Sequence, residues 1–390
     1  MPQSKDDLSR SLVTFDQSSS ICAVIELSLD SWLVGAIVPG LARDPLKKLA
    51  PDPEALFTLL HRWRDEAVKA GGKIKRIVVA FEAGRDGFWL ARWLRARGME
   101  AYVIHPASVP VSREQRRAKT DRLYIGLLQR SLMGWLRGEK KHCSMAAIPS
   151  LEEEDAKRPN REREKLIADR TRIVNRMKST LSRFGIRSFK PTLRKAEQKL
   201  SELRTAEGTL LPENTRAELR RDMARLRIVR DQIKEIEQER LRKLEAAAVA
   251  ENGPHSMIRL IARVVGVGVE TADMLVNEIL TRRLRDGKAV ARYAGLTGSP
   301  DESGRRRREK GLARAGNARV RRGMIQLAWR FLTFQKDSAL AQWFRLRAAD
   351  GRSGTRKTMI VALARKLLIA LWRMTRTGEI PEGVKLRPAA

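Results

Sequence analysis

The chain has 390 residues and an ordinary hydrophobic content of 42%, which excludes a disordered tail and allows two or three domains with sizeable cores. Lysine and arginine number 79 against 46 aspartate and glutamate residues, giving a formal charge of +33 at pH 7. This excess favours a polyanionic partner, nucleic acid before a membrane surface, because neutralising phosphates releases counterions.

The N-terminal residues 1–19 are polar and are expected to be flexible, without the apolar core of a signal peptide. No stretch of the sequence reaches the roughly 18 consecutive apolar residues of a membrane helix, so no membrane partner is predicted. The two cysteines, Cys22 and Cys143, lie far apart and lack a metal-binding spacing. We interpret both as buried thiols in a reducing cytoplasm.

Residues 20–150 are predicted to form an α/β domain, because strand patterns alternate with helical ones. The apolar runs 21–29 and 32–38 predict a hairpin. A continuous apolar run, typical of buried parallel strands, predicts one further strand, and another strand is predicted after it. Those strands are 73–82 and 99–106, and the predicted helices are 51–71 and 87–98.

Residues 151–252 are dominated by charge, and their apolar residues recur at steps of three and four. The first series is Leu166, Ile173, Met177, Leu181 and Phe184, and the second is Leu219, Met223, Leu226, Val229, Ile233 and Ile236. This spacing predicts two long helices in an antiparallel coiled-coil arm, with its tip at 187–214. A spacer or oligomerisation role is favoured over any chemistry here.

Residues 253–390 are predicted to be mostly helical. Within them, two apolar helical segments flank Gly266-Val267-Gly268. Glycines let the backbone turn sharply and approach a phosphate, with amides of the following helix facing it. The pattern indicates a helix–hairpin–helix that grips DNA backbone, the alternative being a glycine turn between packed helices. The segment 354–383 predicts an amphipathic helix that packs on this domain.

Three carboxylates could hold Mg²⁺, which prefers hard oxygen ligands converging from different elements. Glu26 and Glu82 lie in apolar strands, where a carboxylate is costly unless paired or metal-bound. Asp121 opens a later helix. Asp30 and Asp86 lie at turns and are interpreted as caps.

A second candidate site is the segment 293–329, in which Ser303 lies in a glycine-bounded loop. The arginines that accompany it are Arg305, Arg306, Arg307, Arg308, Arg314, Arg319, Arg321 and Arg322. Guanidinium groups can clamp a phosphate and stabilise charge on it, which would make serine an effective nucleophile. The alternative is a basic loop that binds DNA backbone, with Ser303 as one more polar residue.

The motifs taken together resemble a known family. In chain order they are "VIELS", "AFEAGRDG", "VIHP", "AKTDRL", the arm, "VVGVGVETADMLV", "YAGLTGSPDESG" and "KGLARAGNARVRRGM". The combination resembles the large family of insertion-sequence transposases guided by a structured bridge RNA. The resemblance implies an N-terminal RNase-H-like domain, similar to Holliday-junction resolvases, and a C-terminal transposase domain, residues 253–390 here.

The resemblance also implies roles for individual residues. The family binds Mg²⁺ through an Asp-Glu-Asp-Asp set, whose first three positions match Glu26, Glu82 and Asp121. Its serine nucleophile, which forms a phosphoserine link to DNA, matches Ser303. Acids and serine would meet in a composite site built by a homo-oligomer, a dimer or a tetramer. The implied partners are DNA and a structured guide RNA. The implied location is the cytoplasm of a bacterium, in association with the nucleoid.

Two positions depart from the family pattern. Glu26 stands in place of an aspartate. Its side chain is one methylene longer than that of aspartate and is also a hard oxygen ligand. Tyr124 stands where the fourth acid is expected, and a neutral phenol is a poor Mg²⁺ ligand. The departure fits an impaired copy, a shell completed by another acid or water, or attack on phosphate by Tyr124 itself.

The sequence therefore predicts an RNA-guided, Mg²⁺-dependent DNA transposase with Ser303 as nucleophile. Two alternatives stay open. The first is a degraded relative that only binds nucleic acid, and the second is a metal-dependent junction nuclease that makes no covalent link.

Overall fold

The computed structural model describes residues 10–11, 13–84, 87–109, 120–139, 142–247, 253–303, 306–313 and 315–388. The chain divides into two compact units, Met1–Leu151 and Glu152–Ala390. A mixed α/β sheet forms the first unit, and the second is mostly helical. This confirms the predicted fold class at the level of an α/β N-terminal region followed by a mostly helical C-terminal region.

The N-terminal unit is built on a six-stranded sheet with the strand order β3-β2-β1-β4-β5-β6. The strands are β1 (Ser20–Leu27), β2 (Trp32–Ile37), β3 (Leu46–Leu49), β4 (Arg76–Glu82), β5 (Glu100–Ile104) and β6 (Met145–Ala146). The helices are α1 (Pro53–Lys69), α2 (Trp89–Ala96) and α3 (Asp121–Leu136). Neighbours β1, β4 and β5 run parallel, and β2, β3 and β6 are antiparallel to their neighbours. The predicted hairpin and both predicted parallel strands are confirmed, whereas β3 and β6 were not predicted.

The central strands are apolar on both sides because helices cover both faces of the sheet. Ile21 and Ile25 of β1 pack in the same cluster as Leu60 of α1. The alternate residue Val24 packs in a second cluster with Leu128 of α3. Since strand side chains alternate between faces, α1 and α2 cover one face of the sheet and α3 covers the other.

Near its start, the C-terminal unit has two long helices, α5 (Arg158–Ser182) and α7 (Glu213–Ala246), joined by a compact tip. Its helices are α4 (Leu151–Asp155), α5 (Arg158–Ser182), α6 (Ala196–Glu202), α7 (Glu213–Ala246), α8 (Pro254–Ala262), α9 (Val269–Leu275), α10 (Gly287–Tyr293), α11 (Ala318–Phe334), α12 (Ala339–Arg347) and α13 (Ser353–Thr377). A π-helical segment, Val276–Leu280, continues α9, and β7 (Gly298–Ser303) pairs antiparallel with β8 (Arg306–Leu312).

Helices α5 and α7 run antiparallel, since Arg163 pairs with Glu237 and Arg176 pairs with Asp222. The apolar series predicted from spacing lies largely between them. Its buried members are Ile173, Met177, Leu181, Leu219, Leu226 and Ile233. The tip folds back on this core through Phe189, Ala196, Leu200 and Leu211.

The remaining helices, α8 to α13, enclose one large apolar core. Helix α13 supplies seven of its buried residues, among them Leu367 and Leu371, and packs against α10, α11 and α12. The prediction that the amphipathic C-terminal helix packs on this region is therefore confirmed.

The expectation of two buried thiols is confirmed for Cys22 and Cys143, and burial raises the pKa of each to about 12. Among the described residues, no helix combines the length and the apolarity needed to cross a lipid bilayer.

Candidate functional site

Glu26 and Glu82 lie next to each other at the carboxyl ends of two parallel strands. The pairing of β1 with β4 matches Ile25 with Phe81, and each glutamate follows its member of that pair. Both side chains belong to the alternate set that faces α3, because Val24 and Ala80 pack in the α3 cluster. Both glutamates line one pocket of about 460 Å³.

Tyr124 of α3 lines the same pocket. Thr120 caps the helix, its hydroxyl oxygen accepting a hydrogen bond from the Leu123 amide. Asp121, the first helical residue as predicted, is exposed and is not among the residues that line the pocket. Tyr124, one turn further along, is half-buried and packs against the apolar cluster beneath α3. Of the two α3 positions discussed from sequence, the structure thus brings the tyrosine to the glutamates.

Asp30 also lines this pocket, although the sequence suggested a cap. The hydrogen bonds of its turn are made by Ser28 and Ser31, with the Ser28 hydroxyl donating to the Ser31 carbonyl at 2.6 Å. The signal that could have identified Asp30 is its position four residues after Glu26, within the tight turn that joins β1 to β2. Asp86, the other proposed cap, lies outside the described residues.

The pocket offers Mg²⁺ two neighbouring carboxylates. Magnesium keeps several waters and is held in many phosphoryl-transfer sites by one or two carboxylates together with substrate phosphates. Glu26 and Glu82 fit that donor set in type and in placement on separate strands. Within the described ranges, no group of three or more histidine, cysteine, aspartate or glutamate residues is arranged to hold a metal ion.

Ser303 is the last residue of β7, where the sequence predicted a loop. The β7–β8 register places it opposite Arg306, and the two preceding acidic residues, Asp301 and Glu302, oppose Arg308 and Arg307. Arg305 and Arg314 lie outside the described residues. The serine therefore lies at the end of a hairpin whose second strand begins with three arginines.

The arginines of α11 that were predicted to clamp phosphate make contacts within the protein. Arg319 pairs with Glu164 of α5, Nε to Oε2 at 2.8 Å, and Arg322 pairs with the other oxygen of the same carboxylate. Arg321 donates to the Ala315 carbonyl at 3.2 Å. Two of the three guanidinium groups would have to share or leave Glu164 to reach a phosphate.

The predicted glycine turn connects α8 to α9. Gly266 has φ = +94° and a Cβ at this position would lie 3.1 Å from atoms of Phe334, so a larger residue would be both strained and crowded. The Val265 amide donates to the Lys385 carbonyl, which occupies one donor of the turn with the C-terminal tail. Gly268 precedes α9, and a Cβ there would point into open space.

A buried carboxylate ties the base of the α5–α7 pair to the root of the serine hairpin. Glu278, in the π-helical segment, accepts from Arg161 Nε at 3.0 Å and from Asn317 Nδ2 at 2.9 Å. Burial alone would raise the pKa of Glu278, but hydrogen bonds from Arg161 and Asn317 outweigh it and hold that pKa below its ordinary value. Asn317 in turn caps α11 by accepting from the Arg319 amide. Asn317, at the start of α11, is thus linked through Glu278 to Arg161 of α5.

Comparison with known proteins points to one family. The model of the transposase IS116/IS110/IS902 family matches residues 258–343, from α8 to α12, which include the glycine turn and the serine hairpin. A protein of Sinorhizobium fredii (strain NBRC 101917 / NGR234), named "Putative transposase y4rJ", is 38% identical over 94% of this chain and 95% of its own length. A second protein of that strain, "Putative transposase y4qE", is 22% identical over 78% of this chain and 76% of its own.

Proposed function

The chain belongs to the IS116/IS110/IS902 family of insertion-sequence transposases, and from this premise we propose that it is an RNA-guided, Mg²⁺-dependent DNA transposase that uses Ser303 as nucleophile. The observation that carries the proposal is the pocket where Glu26 and Glu82 lie side by side on parallel strands. A paired carboxylate edge of this kind is what phosphodiester chemistry with Mg²⁺ requires.

The N-terminal sheet is proposed to be RNase-H-like. Its antiparallel β3-β2-β1 edge, followed by parallel β4 and β5, supports this proposal. Glu26 and Glu82 would hold Mg²⁺, with Asp121 joining them through a change at the start of α3. When bound, the ion supplies Lewis-acid stabilisation of charge on the phosphate oxygens.

Ser303 and the arginines near it are proposed to carry out the transfer of the DNA strand. The Ser303 hydroxyl loses its proton as its oxygen forms a bond to phosphorus. The bond from phosphorus to the sugar oxygen breaks, and the released sugar oxygen takes up a proton, so that the number of protons is unchanged. The phosphoserine link conserves the phosphodiester bond, so that a second DNA hydroxyl can displace the serine, losing its proton as the serine oxygen takes one up. Arginines neutralise the phosphate during both steps. Those proposed for this role are Arg305, Arg306, Arg307, Arg308, Arg319, Arg321 and Arg322.

The remaining elements are proposed to bind and assemble. The turn at Gly266 and Gly268 would act as a helix–hairpin–helix that grips the DNA backbone. The α5–α7 pair would form a coiled-coil arm for a homo-oligomer, a dimer or a tetramer. The charge of +33 also suits a folded guide RNA, bound through its backbone and shape.

A plasmid recombination assay with the cognate element ends and flanking guide RNA tests the proposal. Ser303→Ala and Glu82→Gln are each expected to abolish exchange, while Glu66→Gln, an exposed acid of α1, leaves it intact. Trapped wild-type reactions should contain protein covalently attached to DNA, and Ser303→Ala reactions should contain none. Exchange that persists in Ser303→Ala would refute the serine mechanism.

Tyr124 favours a second candidate, because it lines the pocket where a fourth acid is expected. An impaired copy would bind DNA and RNA without exchanging strands. In that case the wild type is silent and Tyr124→Asp restores exchange. A junction nuclease without a covalent link differs again, since Ser303→Ala would still cut DNA whereas Glu82→Gln would not.

A further inference from the structure

One face of α11 is exposed along its length and combines aromatic and basic residues. Its exposed positions in the second half recur at helical spacing, and we call them the α11 stripe: Gln326, Trp329, Arg330, Thr333 and Phe334. Trp329 is 39% exposed and Phe334 is 51% exposed. Two large aromatic side chains are therefore exposed on a helix face that also carries Arg330.

The α11 stripe carries positive charge that its own helix does not offset. Helix α11 contains four arginines and no acidic residue. Arg356 of α13 adds a second guanidinium, with its Cζ 5.2 Å from the centre of the Trp329 ring. The nearest acid after α11, Asp337, pairs with Lys385 at 2.7 Å. A cationic, aromatic surface of this kind is complementary to nucleic acid, in which phosphates alternate with flat bases.

The position of the stripe points to DNA. Helix α11 is the next helix in the chain after the serine hairpin, and it ends where Phe334 lies close to Gly266 of the glycine turn. Its 17 residues span about 25 Å at 1.5 Å per residue. A DNA strand held at the glycine turn would run along this helix.

We propose that the α11 stripe binds an unpaired segment of the DNA strand, with one base stacked on Trp329 and its phosphates held by Arg330 and Arg356. The base takes the place of the Arg356 guanidinium over the indole ring, and that guanidinium turns to a phosphate. The strand must be unpaired because a base within a duplex has both faces covered by its neighbours. The proposal rests on the proposed function in taking DNA as the substrate and the glycine turn as one of its contacts.

Fluorescence anisotropy with labelled oligonucleotides tests the proposal in the full-length chain. Every variant carries Ser303→Ala, so that no covalent step contributes. The probes are oligothymidine, a duplex of equal length and oligouridine, each titrated over a series of KCl concentrations. Trp329→Leu removes the aromatic face while keeping an apolar contact with Phe344, the neighbour of Trp329. The controls are Leu346→Ala, an exposed apolar residue of α12, and Arg172→Ala, an exposed arginine of α5.

Stacking and charge predict different signatures. Trp329→Leu should weaken binding to oligothymidine about tenfold, because stacking on an aromatic side chain contributes about 1–3 kcal/mol per base. It should leave the salt dependence unchanged. Arg330→Ala and Arg356→Ala should each reduce the slope of log K against log salt by about 0.7. Neither control should change affinity or slope.

Three outcomes would overturn the proposal. In the first, Trp329→Leu binds oligothymidine as tightly as the wild type does. In the second, it loses as much affinity for the duplex as for oligothymidine. In the third, it loses affinity only for oligouridine, which would make the partner RNA. Failure here is separable from failure of the proposed function. If the chain recombines but its binding to oligothymidine does not depend on Trp329, only the proposed role of the α11 stripe is refuted. If binding depends on Trp329 but the chain never recombines, only the proposed chemistry is refuted.

Discussion

The α5–α7 pair and the helices α11 and α13 place charge differently, although both regions are long and helical. Helix α7 has ten basic and eight acidic residues, whereas α11 and α13 have four and six basic residues and no acidic ones. In the pair, the carboxylate of Asp222 contacts both Arg176 and Arg225. On α13, by contrast, cations lie over aromatic rings, as Lys366 does over Trp343 at 4.8 Å.

The difference indicates where the charge excess can act. An arginine that already has a carboxylate partner helps to stabilise the protein. It gains little binding free energy from a phosphate, because the existing ion pair must be broken or shared. On α11, Arg319 and Arg322 also have a carboxylate partner, Glu164 of α5. The field towards solvent, which attracts nucleic acid, is therefore expected from Arg330 and from the cations of α13. We therefore expect mutations in the α5–α7 pair to change stability, and mutations on α11 and α13 to change the affinity for nucleic acid and its salt dependence.

The largest effect is expected where the two regions meet. Glu278→Ala should lower the free energy of unfolding by about 3–5 kcal/mol, because it leaves Arg161 and Asn317 without their buried carboxylate. Urea denaturation followed by circular dichroism would measure the loss. The control is Glu164→Ala, whose arginine partners are 38% and 63% exposed, and which should cost about 1 kcal/mol or less. Equal losses in the two variants would contradict a buried link between the regions.

A smaller, pH-dependent effect is expected within the pair. Asp222 is buried and accepts two hydrogen bonds from Arg176, which hold its pKa below the ordinary 3.8. Asp222→Asn should therefore lower stability at pH 7 by about 1–2 kcal/mol, a figure reduced because both arginines are half-exposed.

The sign of the pH dependence follows from this lowered pKa. The stabilisation from ionised Asp222 is fully present above pH 3.8 and disappears as the pH falls through the lower pKa of the folded state. The difference between wild type and Asp222→Asn should therefore narrow below pH 3.8 in urea titrations. A constant difference down to pH 2 would show that the ion pair is not its source.

The smallest effect is expected at the surface of α5. Arg172 pairs with Asp169 one turn away, but its side chain is 72% exposed. Arg172→Ala should change the free energy of unfolding by less than about 0.5 kcal/mol, since exposed pairs contribute little. The same urea titration measures it. A loss above 1 kcal/mol would mean that exposed charges stabilise this helix pair more than general experience indicates.

Several elements could be predicted from sequence because their signals are local. Continuous apolar runs identified β1, β4 and β5, and steps of three and four identified α5 and α7. The edge strand β3 was not predicted, because its Lys47 and Lys48 are exposed and show no alternation. The short strand β6 consists of two residues, too few for any pattern. The segment at Ser303 reads as a loop, since its strand pairs only with another charged segment.

The sequence by itself determined which residues are candidates for chemistry: carboxylates at the ends of apolar strands, a serine followed by arginines, and two helices that carry basic residues without acidic ones. Only the tertiary structure decided which of them meet. It brought Asp30 and Tyr124 to Glu26 and Glu82, paired Arg319 and Arg322 with Glu164, and laid the tail at Lys385 along the glycine turn. The physical reason is that periodicity reports only local backbone geometry, whereas partners distant in sequence are chosen by how whole elements pack.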